Sequence, residues 1–437
     1  MAWYQTFSLM VGMILALMAI GMPVAFAFLL ADLVGVILFM GGSVGISQLA
    51  ASMGESVASF NLVSLPLFVL MGELFFHSGL ATRVFDALDV LFGRLPGRLC
   101  YLTIAGGTLF ATLSGSSIAN TAMLGSLMVP EMLKRGYKPH MAMGPILGTG
   151  GLAMIIPPST LAVLLGSLAG IDIGALLIAG IVPGVILALM YVVLIMLQVA
   201  IDPLAAPAYE TPRVTLRRAL MMVAVNVLPM GLVIFCVVGL ILLGAATPSE
   251  AAAFGVLGVI ILCLLFGAPL VSSLQKSMIG TVRISSSVLL IVMGSTTFSQ
   301  ILAFSGSSSG LIAWAVHFAL PPFAILLMMF GVLLLLGMFM EQISIMLLTI
   351  PVFIPLAQML GFDLVWFGLL MLLGLEIGLA TPPFGLLLFV MHGTAPKGTT
   401  LIQVARAALP FVACALLLSG VVMLFPQLAL YLPRLMQ

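Results

Sequence analysis

Charged residues are scarce in this sequence, and their scarcity excludes most soluble folds. Only 6% of the 437 residues are Asp, Glu, Lys or Arg, whereas 63% are hydrophobic. A soluble domain carries roughly 25% charged residues, because these residues cover its surface. The surface of this chain must therefore face lipid, and we predict an all-α polytopic membrane protein.

Several functional signatures are missing as well. The formal net charge is only +1, which argues against a nucleic-acid partner because such a partner needs a basic surface. The sequence has no P-loop, no HExxH and no GxSxG motif, so neither an ATPase nor a hydrolase is indicated. The four cysteines lie singly within apolar runs, and we interpret them as packing residues. The sequence therefore predicts a protein that is not an enzyme.

A single long polar stretch, residues 202–218, divides the chain into halves of similar length, 1–201 and 219–437. Prolines recur at one constant separation between the halves: Pro23 matches Pro248, Pro130 matches Pro355, and the pair at 157–158 matches the pair at 382–383. Since proline sets backbone shape, this shared spacing favours an internal repeat over chance similarity in a proline-rich membrane sequence.

The basic residues predict that the two repeats have opposite orientations in the membrane. Cytoplasmic loops are enriched in Lys and Arg. Residues 80–98 and 134–138 are basic, whereas their counterparts 304–322 and 361–363 contain no Lys or Arg; conversely, 268–283 is basic and its counterpart 43–58 is not. The resulting topology places the linker and every basic residue except Arg434 in the cytoplasm, and the N-terminus in the periplasm. We interpret 43–58, 80–98 and 268–283 as interfacial helices.

Four interrupted segments are predicted at mid-membrane depth. Residues 99–133 are apolar between two cytoplasmic ends and too short to cross twice, so we predict a re-entrant helical hairpin with its tip at the Ser-Gly-Ser-Ser run. The same argument predicts a second hairpin over about 322–360, entering from the opposite side. The proline pairs predict discontinuous helices over about 139–169 and 364–395.

Such breaks suit ion binding, because freed carbonyl groups attract a hard cation and helix N-termini attract an anion. Na⁺ is the predicted cation, since carbonyl and hydroxyl oxygens suffice for it. The alternative is that the breaks are packing kinks, because Gly and Pro are common in membrane helices. The intramembrane residues Glu341 and Glu376 are candidates for ion binding, and equally for a structural role.

Seven short motifs resemble those of the large membrane subunit of tripartite ATP-independent periplasmic (TRAP) transporters. They are GMPVAFA at 21–27, SGSSIAN at 114–120, KRGY at 134–137, IIPPS at 155–159, GIVPG at 180–184, ATPSEAAA at 246–253 and GLATPPFG at 378–385. The resemblance implies a Na⁺-driven importer of organic acids, such as C4-dicarboxylates or sialic acid, in the bacterial inner membrane. It also implies a small four-helix membrane subunit, a periplasmic substrate-binding protein, and an elevator motion of a transport domain along a scaffold.

The resemblance further implies about two Na⁺ sites, each between a hairpin tip and the broken helix that faces it. Carried over to this sequence, the first site would use Ser114, Gly115, Ser117, Gly148, Gly151 and Ile156. The second would use Gly337, Gly378, Thr381 and Phe384. For the organic anion we predict contacts with Ser116, Asn120, Ser159, Thr160 and Glu341.

Other functions stay open. A stand-alone divalent-anion/sodium symporter of similar architecture would transport without partners. A channel or passive scaffold needs a continuous polar pore, which the sparse polar residues do not favour. A membrane-embedded enzyme is least favoured, because the sequence assembles no nucleophile–base pair and no metal cluster.

A cysteine introduced within 213–218 tests the predicted topology. Because the linker is predicted to lie in the cytoplasm, a membrane-impermeant maleimide should label this cysteine only from the cytoplasmic side. Labelling from the external side would show that the topology is the reverse.

Overall fold

The computed structural model describes residues 2–91, 95–207, 215–317 and 320–435, and all regular structure in these ranges is helical. The α-helices are α1 (Trp3–Ala19), α2 (Val24–Phe39), α3 (Ser43–Val57), α4 (Ser64–His77), α5 (Leu80–Leu91), α6 (Arg98–Ser114), α7 (Ser117–Lys134), α8 (Pro139–Ile155), α9 (Thr160–Ala169), α10 (Ile173–Ala179), α11 (Ile181–Ile201), α12 (Leu216–Asn226), α13 (Leu228–Leu242), α14 (Pro248–Leu265), α15 (Leu270–Phe304), α16 (Ser307–His317), α17 (Pro322–Gly337), α18 (Gln342–Met359), α19 (Leu364–Ala380), α20 (Leu386–Thr394), α21 (Leu401–Leu424) and α22 (Gln427–Arg434). Two short 3₁₀ helices, Phe60–Val63 and Pro203–Ala205, complete the described elements.

Many of these helices are apolar enough to lie in a membrane. Within the described ranges, six helical segments are long and apolar enough to cross a bilayer, or up to eight if each of two bent helix pairs forms one span. Large apolar side chains are exposed on the outer surface; Phe235, for example, is 72% exposed and Leu243 is 82% exposed. Such a surface is stable in lipid and unfavourable in water, which confirms the prediction of an all-helical membrane protein.

Residues 98–134 fold into two helices that pack against each other. Gly115 ends α6 with a positive φ of 58°, a conformation that glycine adopts without steric cost. The Ser116 hydroxyl then accepts a hydrogen bond from the Ala119 amide at 3.3 Å and caps α7. This two-residue connection makes a tight tip at the serine-rich run.

Residues 322–359 form a second pair of helices, α17 and α18, connected by Met338–Glu341. The Glu341 carboxylate caps α18 by accepting hydrogen bonds from the amide and the hydroxyl of Ser344, at 3.1 and 2.6 Å. Farther along α18, Pro351 has no amide to donate to the Leu347 carbonyl. That carbonyl accepts instead from the Ser295 hydroxyl of α15, at 2.9 Å.

Two helices are interrupted at the proline pairs. Helix α8 ends before Ile156, whose backbone is extended, and α9 begins after Ser159, whose hydroxyl accepts from the Ala162 amide at 3.2 Å. Helix α19 ends before Thr381, whose backbone is also extended, and α20 begins at Leu386. The peptide bonds within the two proline pairs are both cis. The assignment of these elements to two inverted repeats stays a prediction.

The helices pack in two groups that meet along α4 and α15. We name the first the scaffold group; it contains α1–α4 and α13–α16. In this group α15 packs on α2, α3 and α4, and α14 packs on α4 and α13. In the second, the hairpin group (α6–α9 and α17–α21), α8 packs on α6, α7, α19 and α21, and α19 packs on α17 and α18. The most buried helices, α8 and α19, thus lie at the centre of the hairpin group.

The linker predicted over 202–218 is described except for residues 208–214. Its first part is held to the base of the first helix pair, where the Lys138 ammonium pairs with the Asp202 carboxylate. The hydrogen bond from Lys138 lowers the pKa of Asp202 below its ordinary value. The amides of Lys138 and Gly97 donate to the Ala205 and Ala206 carbonyls, at 2.9 and 3.1 Å. The start of the linker is therefore fixed to the hairpin group.

One element differs from the sequence-based expectation. Residues 43–57 and 80–91 form short separate helices, but 268–283 does not; it is the first part of α15, a continuous helix of 35 residues. No proline interrupts α15, and its exposed Lys276 and Arg283 lie along a helix that is about 50 Å long at 1.5 Å per residue. That length exceeds the roughly 30 Å hydrocarbon core, so basic residues near one end do not require a separate interfacial helix.

Candidate functional site

Both hairpin tips and both broken helices meet at a buried cluster of polar side chains beside Gly150. The Ser117 hydroxyl, at the start of α7, lies 2.9 Å from the Gly150 carbonyl of α8 and 2.8 Å from Oε2 of Glu376 on α19. The same Oε2 accepts a hydrogen bond from Nε2 of Gln342, the first residue of α18, at 2.6 Å. The side chains of Ser117 and Gln342, from two different helices, therefore both contact the same carboxylate oxygen of Glu376 on a third helix, at the centre of the hairpin group.

Further polar atoms near this cluster have no hydrogen-bond partner. Both amide atoms of Asn120 and the Thr121 hydroxyl, one turn beyond Ser117, are buried without a partner, and so is Oε1 of Glu376. A buried polar group without a partner is costly, so unpaired oxygens here are candidates for contact with a bound ion or water. Among the described residues, no cluster of three or more His, Cys, Asp or Glu could hold a metal ion. The available oxygens are mainly hydroxyl, amide and carbonyl oxygens.

The second hairpin tip touches α19 through bare backbone. A Cβ atom added to Gly337 would lie 2.5 Å from Cα of Gly378, and one added to Gly378 would lie 2.7 Å from Cα of Gly337. Only glycine permits this approach. The rings of Phe339 and Phe384 are 5.5 Å apart, and the Thr381 hydroxyl donates to the Ile377 carbonyl at 2.6 Å. All four residues predicted for the second cation site therefore lie in this contact region.

The residues predicted for the first cation site are more dispersed. Ser117 and Gly151 lie beside the polar cluster, and Gly115 abuts Thr160, because a Cβ at Gly115 would be 2.3 Å from Oγ1 of Thr160. Gly148 faces the ring of Phe411 on α21, and the Ile156 side chain packs against Gly184 on α11. Ser114 ends α6, and its side chain is outside the described part of the structure.

A cavity of about 530 Å³ separates the hairpin tips from the scaffold group. Of the residues predicted to contact an organic anion, Ser116, Thr160 and Glu341 line this cavity. Asn120 and Ser159 do not line it; both side chains are fully buried behind its wall. The helices α7, α9 and α18 all begin at this cavity, so their N-termini converge on one space.

The scaffold group contributes two polar side chains to the cavity that the sequence did not indicate. Glu73 and His77 of α4 line it, and their carboxylate and imidazole lie 3.3 Å apart. Among the described residues, no Lys or Arg lines the cavity, whereas three helix N-termini do. Amide groups and helix dipoles are therefore the main positive features available to an anion. The spacing of Glu73 and His77 by one helical turn was the only signal for them in the sequence.

Comparison with known proteins assigns the family. Residues 11–428 match the family model for the DctM component of the tripartite ATP-independent periplasmic transporter. The chain belongs to this family. The match spans nearly the whole chain, which confirms the resemblance seen in the seven short motifs.

Named relatives agree with this assignment, and a solved structure has a similar fold. The chain is 32% identical over 393 residues to the C4-dicarboxylate TRAP transporter large permease of Pseudomonas aeruginosa, covering 89% of this chain and 90% of the relative. It is 31% identical over 435 residues to the sialic acid TRAP transporter large permease of Vibrio cholerae, covering 98% and 99%. Its fold is similar to that of the YdaH transporter of Alcanivorax borkumensis, with a TM-score of 0.67, 14% identity, and coverage of 91% and 97%.

The two named relatives are transporter permeases of the same family, which confirms the prediction that the chain is not an enzyme. TRAP large permeases work with a small membrane subunit and a periplasmic binding protein. The chain is accordingly a multi-pass membrane transporter subunit.

Replacement of Gly378 by alanine tests the contact between the second tip and α19. The added methyl group would meet backbone atoms, which cannot move cheaply, so we expect a loss of about 1–3 kcal/mol in the free energy of unfolding. The control is Gly393→Ala in α20, where no atom lies within 4 Å of the added Cβ; it should stabilise the helix by up to about 1 kcal/mol. Thermal unfolding of the purified protein in detergent measures both, and equal melting temperatures would contradict the contact.

Proposed function

We propose that this chain is the membrane permease of a Na⁺-coupled importer of small organic anions in the bacterial inner membrane. The anions are carboxylates of the kind named for the relatives, C4-dicarboxylates or sialic acid. The observation that carries the proposal is the convergence of three helix N-termini on one cavity beside a buried polar cluster. This arrangement supports the proposal, because helix N-terminal amides attract an anion and the hydroxyl and carbonyl oxygens of the neighbouring cluster suit a cation.

The anion would lie in the 530 Å³ cavity. Ser116 and Thr160 line it at the starts of α7 and α9, where free amides and the helix dipole attract a carboxylate. Glu341 is already engaged by Ser344, so its carboxylate is better suited to fixing the tip than to contacting an anion. Asn120 and Ser159 would then support the wall of the cavity rather than contact the anion.

Na⁺ would bind on either side of the broken helices. At the first tip, the unpaired Asn120 amide oxygen and Thr121 hydroxyl, together with Ser117 three and four residues before them on α7, would supply part of the oxygen ligands of a hard cation. At the second tip, the Thr381 hydroxyl oxygen retains lone pairs after donating to Ile377. A cation at either position would attract an anion in the cavity. This attraction would couple the binding of Na⁺ to the binding of the anion.

An elevator motion fits the position of the cavity between the two helix groups. The hairpin group carries Ser116 and Thr160, whereas Glu73 and His77 belong to the scaffold group. Sliding of the hairpin group would carry the anion away from Glu73 and His77 toward the other side of the membrane. We further propose that the N-terminus is periplasmic, that a separate small four-helix subunit binds the chain, and that a periplasmic binding protein delivers the substrate.

Uptake into proteoliposomes tests the proposed function. The chain is reconstituted with and without the small subunit and binding protein encoded beside it, and radiolabelled succinate and sialic acid are offered in turn. We expect uptake that requires an inward Na⁺ gradient and both partners. Uptake unchanged when K⁺ replaces Na⁺ would exclude Na⁺ coupling, and uptake by the chain alone would favour a stand-alone symporter.

Thr381→Ala tests the second cation site. Loss of one oxygen ligand should raise the Na⁺ concentration for half-maximal uptake by about fivefold, the factor for a contact worth about 1 kcal/mol. Thr399→Ala is the matched control, because the Thr399 hydroxyl also donates to a backbone carbonyl, that of Pro396 at 2.9 Å, but in an exposed turn. Uptake is measured as a function of Na⁺ concentration for both variants. The same Na⁺ dependence in Thr381→Ala and the wild type would rule out the Thr381 hydroxyl as a Na⁺ ligand.

A further inference from the structure

We propose that Glu376 is a positioning residue that joins the two hairpin tips, so that opening of one tip is coupled to opening of the other. This inference rests on the proposed function for its consequence in transport, but the coupling itself is a property of the folded chain. It assigns a role to a buried carboxyl group that is a member of neither predicted cation site, although its partner Ser117 belongs to the first.

The geometry places one oxygen atom at the junction of the two tips. Oε2 of Glu376 lies 2.8 Å from the Ser117 hydroxyl of the first tip and 2.6 Å from Nε2 of Gln342 at the second. Residues 117 and 342 belong to different halves of the chain, and no described hydrogen bond links their side chains directly. Glu376 on α19 is therefore the only described side chain that hydrogen-bonds to both tips.

Burial makes this junction sensitive to the loss of one partner. Glu376 is 4% exposed, Gln342 is 6% exposed and Ser117 is 1% exposed. If one tip moved away, the Glu376 side chain would lose one of the two donors that fix its position, and a less firmly held carboxylate makes a weaker contact with the other tip. Opening of either tip alone therefore costs more free energy than it does when the other tip is already open.

The other carboxylate oxygen indicates that Glu376 acts by hydrogen bonding rather than as part of a cation cage. Oε1 has no hydrogen-bond partner and is near a cavity of about 20 Å³, room for one water molecule. The cavity is mostly apolar, and Tyr191 is the only other side chain with an oxygen that lines it. The apolar lining therefore offers a cation little beyond these two side-chain oxygens, whereas Oε2 of Glu376 is placed to act on both tips by hydrogen bonding.

Two replacements at position 376 separate the hydrogen bonds from the charge. Glu376→Gln keeps a carbonyl oxygen that can accept from both tips but removes the carboxylate. Glu376→Met keeps a similar volume but removes both acceptors. Asp32→Leu is the control for replacing a buried carboxyl group elsewhere, because Asp32 in the scaffold group is fully buried and its oxygens have no partner.

Hydrogen–deuterium exchange of the chain in lipid nanodiscs, without Na⁺ or substrate, reads the coupling directly. Glu376→Met should speed amide exchange at the starts of both α7 and α18 by at least about fivefold, the factor for one lost hydrogen bond. Glu376→Gln and Asp32→Leu should leave both segments close to the wild type. Gln342→Met, which alters the second tip alone, should also speed exchange at the first tip, and its effect should not add to that of Glu376→Met.

Two results would overturn the proposal. The first is faster exchange confined to one tip in Glu376→Met or Gln342→Met, which would mean that the tips open independently. The second is a Glu376→Gln variant that behaves like Glu376→Met, which would mean that the charge matters and not the shared hydrogen bonds. Failure of Na⁺-driven uptake in the wild type would refute the proposed function but leave this exchange result interpretable.

Discussion

The fold depends on the requirement that every backbone polar group inside a membrane finds a partner within the protein. Broken helices violate this requirement unless other helices cover the break. In this chain the breaks are adjacent to α8 and α19, the two helices whose residues are buried over Met141–Ile155 and Trp366–Ala380. Side-chain caps from Ser116, Ser159 and Glu341 satisfy amides at the new helix starts. Burial of α8 and α19 therefore makes the hairpin tips and broken helices possible, and concentrates the polar groups of the chain in one interior region.

The same arrangement determines what the site can do. Protein covers one side of each helix start, and the other side presents backbone amides to a cavity. The starts of α7, α9 and α18 all line the cavity between the hairpin and scaffold groups. Close backbone contact at Gly337 and Gly378 and the shared oxygen of Glu376 hold the tips against the broken helices. The cavity lined by helix starts, the buried polar cluster and the tip contacts are therefore parts of one packed unit. In the proposed elevator motion, this unit would move as a body against α4 and α15.

The sequence predicted features that depend on local chemistry. Scarce charge indicated a membrane protein, the proline pairs indicated where α8 and α19 end, and the Ser-Gly-Ser-Ser run indicated the first tip. Contacts between distant residues could not be predicted in this way: Ser117 and Glu376 are 259 residues apart and meet only because α7 and α19 pack on α8. The sequence did not place Glu73 and His77 at a cavity, because that position depends on how α4 packs against the hairpin tips. The continuity of α15 was missed because basic residues such as Lys276 and Arg283 can lie within a long helix without ending it.

Equilibrium binding of radiolabelled Na⁺ measures whether the oxygens around the two tips bind this ion, as we propose. The measurement uses the purified chain in lipid, without partners and without substrate, over a range of Na⁺ concentrations and with excess K⁺ as competitor. We expect saturable binding of about two ions per chain, because the oxygen sets at the two tips are separate, and no displacement by K⁺. Absence of saturable Na⁺ binding, or equal displacement by K⁺, would show that the tips do not form Na⁺ sites.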